Sequence, residues 1–131
     1  MASSKLSLCI CTVLVAYALG CSQKPVDPNR TTVSGVVTYD GKPLPAGSIS
    51  FESTEKGIAT SASINDGAYS TDRAPTGKVA VGVDTASIQY GNPAKFVPIP
   101  AKYADSATSG LSIEVTPGLN KNINFDLKRQ L

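Results

Sequence analysis

Histidine and tryptophan are absent from this 131-residue chain, and no cysteine follows Cys21. Each absence excludes something. A chain without histidine lacks the usual proton shuttle near neutral pH and the commonest metal ligand. With no cysteine beyond position 21, a domain in the rest of the chain can hold no internal disulfide, so packing and strand pairing must keep it together. Charge is scarce as well. Asp, Glu, Lys and Arg make up 17% of the residues, against about a quarter in ordinary domains. The formal net charge is +2 with no basic run, and Lys128-Arg129 is an isolated pair, so nucleic acid is not an expected partner. No nucleophile–base pair and no paired-carboxylate spacing stands out, so neither enzyme activity nor a cofactor is expected.

What is present begins with an address. Residues 1–5 are polar with one lysine, and residues 6–19 are almost wholly apolar, ending in Gly20-Cys21. Fourteen residues are short of the ~20 needed to cross a bilayer. A charged start followed by a greasy core is the plan of a secretory signal peptide. Ala18-Leu19-Gly20-Cys21 resembles a bacterial lipobox, although leucine is usual at the position of Ala18 and a small residue at that of Leu19. The resemblance implies cleavage before Cys21, lipid on its sulfur, and membrane anchoring at the cell envelope, on the outer membrane or the periplasmic face. Residues 1–20 are thus expected to be signal peptide. Residues 21–31 would be the lipidated cysteine and a polar, proline-containing tether, and residues 32–131 one folded domain.

That domain reads as β throughout. Residues 33–39 alternate, with Val33, Gly35, Val37 and Tyr39 on one face. Gly35 within a strand suggests close backbone approach or a bulge. Asp40-Gly41 and Asn65-Asp66-Gly67 are strong turn signals. Pro43 and Pro45 are expected to stay out of any ladder, with Leu44 tucked beneath them. Further strands are expected at 48–53, 58–64, 68–71, 78–84, 111–115 and 121–127. Residues 87–109 break the rhythm with three prolines, Tyr90, Phe96 and Tyr103. No helical period runs through ten residues of the mature chain. About seven short strands separated by Gly/Pro turns argue for an all-β sandwich, with an open barrel as the alternative.

The run V-x-G-x-V-x-Y-D-G-K-P-L-P-x-G-x-I-x-F, then I-N-D-G-A-Y and P-T-G-K-V-A-V-G-V, resembles carboxypeptidase regulatory-like and transthyretin-like (prealbumin-like) modules. Residues 99–127 resemble small lipoproteins of planctomycete-type bacteria. The resemblance implies the sandwich fold but no particular role, since such modules serve as folding supports, stalks and spacers. The hydrolytic and zinc chemistries of related proteins rely on histidine, so neither carries over to any position here.

The candidate chemistry is correspondingly thin. Asp66, Asp72 and Asp84 with Asn65 offer oxygens, but an aspartate in N-D-G ordinarily shapes a turn, and no metal site is expected. The long excursion is the place to look for a partner, because loops of this length are often functional. Tyr90, Phe96 and Tyr103 are its candidate contact residues, unless Phe96, Ile99 and Tyr103 instead cap an open end of the domain or cover an edge strand. The expected role is a non-catalytic, lipid-anchored envelope module that binds or spaces an unidentified envelope protein, or alternatively one that binds a small ligand or glycan.

Overall fold

The computed structural model describes residues 30–130. The expected signal peptide, Cys21 and most of the tether lie outside them. Strand β1, Arg30–Tyr39, is the pairing centre of the domain. Its valines and threonines suit a pleated surface, and Val33 and Val37 are fully buried on its inner face. One edge of β1 pairs antiparallel with β5, Ala68–Pro75, from Arg30↔Pro75 to Val36↔Ala68. Near its end that edge also takes β2, Lys42–Pro43. The opposite edge takes parallel partners. Strand β8, Leu119–Asn120, lies along Thr32 and Val33, and β9, Phe125–Leu127, lies along Val37, Thr38 and Tyr39.

Four longer strands complete the structure: β3 (Ala46–Ser53), β4 (Ile58–Asn65), β6 (Gly77–Asp84) and β7 (Leu111–Val115). The order is β2-β1-β5-β4-β3-β6-β7, with β8 and β9 on β1. The sheet curls, because β4 and β5 share a single register pair, Asn65↔Ala68, beside the turn that joins them. Inside the curl lie Ile49 and Phe51 of β3, Ile64 of β4, and Val79, Val81 and Val83 of β6, all essentially inaccessible. They face Val33, Val37, Phe125 and Leu127 across the core. Phe51, Tyr69 and Phe125 form a tilted aromatic row with centroids 5.7 and 6.4 Å apart, a geometry worth about 0.5–1.5 kcal/mol per pair beyond burial.

Two turns seal one end. Asp40-Gly41 and Asp66-Gly67 both place consecutive residues at positive φ (49° and 80°, 48° and 84°), as a two-residue type I′ hairpin turn requires. Leu44, fully buried, lies between them. Its amide donates to the Val37 carbonyl at 3.0 Å, and its carbonyl accepts from the Gly67 amide at 2.7 Å.

Three features differ from the sequence expectation. Lys42–Pro43 does join a ladder, but only for two residues, because Pro43 has no N–H to continue it. Strand β1 begins at Arg30, three residues before the strand expected at 33–39. Of the expected strand at 121–127 only its end forms, as β9, while β8 lies just ahead of it at Leu119–Asn120; with β2 the count becomes nine rather than about seven. The break has a cause. Asn122 adopts φ 59°, and the chain arches over Gly35, where an added Cβ would lie 1.9 Å from the Ile123 carbonyl oxygen. The arch is tied down by Ile123 N–H to the Ser34 carbonyl (3.0 Å) and Tyr69 hydroxyl to the Ile123 carbonyl (2.5 Å). Val36 N–H to Asn124 Oδ1 (2.9 Å) adds a third bond.

Register assigns landmarks to two ends. Arg30↔Pro75 and Gly77↔Val115 define the end where the chain enters the domain. Ser48↔Asp84, Ala46↔Asn65 and Tyr39↔Lys42 define the other. Ten residues of β1 at about 3.3 Å each separate them by roughly 30 Å.

Candidate functional site

The segment between β6 and β7 lies at the far end, away from the chain entry. It opens with a short helix α1, Ala86–Gly91, and continues through 3-10 turns at Pro93–Lys95 and Ala101–Ala104. No strand forms here, in keeping with its prolines. Strand β7 reaches only to Leu111, opposite Val81, so the last residues of β6 have no strand beside them on that edge. The excursion covers them, as exposed edges require. Ser109 donates its hydroxyl to the Val81 carbonyl. At Gly82 an added Cβ would meet Ser106 N at 3.2 Å and Ala104 O at 3.3 Å. Thr85 donates to the Val97 carbonyl at 2.8 Å, and Ser106 to Glu52 Oε2 at 2.6 Å.

The three aromatic residues expected to form a partner surface separate in space. Tyr103 is 5% exposed and belongs to the core. Its hydroxyl accepts from Lys128 N–H at 3.1 Å and donates to the Lys128 carbonyl at 3.3 Å, so it pins the tail after β9 to the excursion. This corrects its placement on a contact surface: the side chain fills the gap beyond β7, where apolar area would otherwise meet water. Phe96 is half-buried, and Tyr90 is 86% exposed on α1. The sequence does not separate these roles, because an aromatic in a proline-rich loop reads the same whether it plugs or protrudes.

Two concavities flank the stretch around Val97. One, about 160 Å³, is lined by Tyr39, Lys42, Pro43, Leu44, Pro45 and Val97. The other, about 240 Å³, lies between α1 and the Phe96–Ala104 stretch, with Asp84, Gln89, Phe96, Pro98, Ile99 and Pro100 among its walls. Gln89 was not singled out from sequence, and Asp84 only as a source of metal oxygens. The D-T-A start of a helix was the available signal: Asp84 Oδ1 accepts from Ala86 N–H at 2.9 Å.

The candidate metal oxygens do not converge. Asp66 faces Lys95 at 3.9 Å, Asp72 pairs with Arg73 at 4.0 Å, and Asp84 accepts from the Ala86 amide at the start of α1. Among the described residues no group of three acidic or other ligating side chains could hold a metal ion. The charged groups at this end are structural. Lys128 hydrogen-bonds Asp126 at 2.6 Å, which holds the carboxyl below its ordinary range and the ammonium above its own; Thr38 also donates to Asp126 at 2.9 Å. Arg129 meets Asp40 at 3.4 Å. Such exposed pairs contribute little individually. Burial pushes the Tyr69 phenol above its ordinary value.

No protein-family model matches the chain, and no curated protein matches it. Among solved structures it is similar to a DUF3823 family protein from Parabacteroides merdae, at 14% identity and a TM-score of 0.49. The similarity covers 77% of this chain and 47% of that protein, so this chain spans about half its length.

Proposed function

We propose that this protein is a non-catalytic, lipid-anchored module of the bacterial cell envelope that binds or spaces other envelope components. Its fold is read as a sandwich of the transthyretin-like and carboxypeptidase regulatory-like class. Support for the sandwich is the single register pair between β4 and β5, which leaves β4-β3-β6-β7 free to face β5-β1-β9 across one core. The observation that carries the anchoring is the apolar run at 6–19 ending in Gly20-Cys21, with β1 starting at Arg30. Two or more acyl chains on Cys21 give durable attachment where one chain is marginal. Residues 22–29 then let the domain stand at most about 30 Å from the lipid, at ~3.5 Å per extended residue.

Metabolic labelling with palmitate tests the anchor. The wild-type protein takes up label and partitions with membranes, and Cys21→Ala does neither. An unlabelled wild-type protein refutes the anchor.

A second reading, in which the module binds a small ligand or glycan, is favoured by the concavity beside Phe96. A spacer with a continuous convex surface needs no such feature.

A further inference from the structure

We infer that the cavity between α1 and the Phe96–Ala104 stretch is a saccharide subsite, directed away from the membrane. The inference rests on the ligand-binding reading above and names its ligand. The cavity measures about 240 Å³, room for one six-membered sugar ring and too little for two. Its walls combine an aromatic ring, Phe96, with the aliphatic surfaces of Pro98, Ile99 and Pro100. The electron-rich face of an aromatic ring attracts the electropositive C–H face of a pyranose. Selective small-ligand sites place a few polar groups on such an apolar frame.

The polar groups available suit hydroxyls. Asp84 spends Oδ1 on the Ala86 amide, and its Oδ2 has no hydrogen-bond partner among the described residues. The Gln89 amide also has none among them, while Thr85 is already committed to Val97. A free carboxylate oxygen accepts, and an amide both accepts and donates, the complement of neighbouring sugar hydroxyls. No lysine or arginine lines this cavity, so an anionic ligand meets an uncompensated Asp84.

Position supports the same ligand. Asp84 ends β6 at the end opposite Arg30, roughly 30 Å away by the length of β1. With the tether entering at Arg30, the cavity faces envelope glycans and not lipid headgroups.

Saturation-transfer NMR on the full mature protein in detergent tests this, using cellotetraose and chitotetraose as neutral probes. Saturation passes to the ring protons of at least one probe. Phe96→Ala and Gln89→Ala each weaken that binding about tenfold, the equivalent of 1.4 kcal/mol, and Tyr90→Ala leaves it unchanged. If Phe96→Ala fails to fold, the exposed Gln89→Ala decides. Silence from both probes overturns the proposal, as does binding that survives loss of Gln89 or disappears only with Tyr90. Palmitate uptake, read on the same preparation, distinguishes the two ideas. Labelled protein that ignores both sugars refutes the subsite alone, and unlabelled protein that binds them refutes the anchor alone.

Discussion

Replacing Gly35 by alanine is expected to destabilise the domain by about 3–5 kcal/mol. The new Cβ would lie 1.9 Å from the Ile123 carbonyl oxygen and 2.5 Å from its carbon. Both neighbours are backbone, so no rotamer change relieves the overlap. Forcing extra volume into a packed site typically costs about 1–3 kcal/mol, and a rigid neighbour places this site at the upper end. Relief requires the arch over β1 to lift. Lifting it stretches the Ile123-to-Ser34 bond, the Tyr69-to-Ile123 bond and the Val36-to-Asn124 bond. Losing one or two of these adds about 1 kcal/mol each. For a domain of this size each kcal/mol moves Tm by about 4–8 °C, so thermal unfolding followed by circular dichroism should show a fall of at least about 12 °C. Gly41→Ala is the control. It has no atom within 4 Å of its new Cβ but sits at φ 80°, and left-handed strain alone costs about 1–2 kcal/mol. A Gly35→Ala protein that melts within 2–3 °C of wild type would refute the close approach of Ile123 to β1.

Tyr103→Ala should cost about 3–5 kcal/mol, the range for truncating a buried large aromatic, whereas Tyr90→Ala should stay within about 0.5 kcal/mol; equal effects in urea titrations would contradict their different burial. Tyr69→Phe should cost about 1 kcal/mol at neutral pH through the lost bond to Ile123. Because burial raises the folded phenol's pKa, Tyr69 contributes stability that is complete below the unfolded value of about 10 and falls as pH rises beyond it. The gap between wild type and Tyr69→Phe should therefore shrink and then reverse above about pH 10, and a constant gap in alkaline melts would exclude a buried, neutral Tyr69.

What could be read from the sequence was what short-range chemistry dictates. Asp40-Gly41 and Asp66-Gly67 demand turns because few other residue pairs accept consecutive positive φ. The alternating valines of 33–37 and 79–83 declare strands and their inner faces, since successive side chains point to opposite sides. Gly35 pointed to a close approach or a bulge, because a glycine inside a strand is otherwise unfavourable. None of these says what lies across a ladder or above a glycine. The parallel seat of β8 and β9 on β1 and the arch of 121–124 over Gly35 depend on contacts between residues some 85–90 positions apart, which no local pattern encodes. The split between Tyr103 and Tyr90 likewise depended on where β7 ends. Because β7 stops opposite Val81, β6 is left with an open edge that something apolar had to cover. Tyr103 fell inside that gap and Tyr90 did not. The all-β character was thus set by periodicity and turn chemistry, whereas the far-end cavity exists only because distant segments meet around an edge that one short strand failed to close.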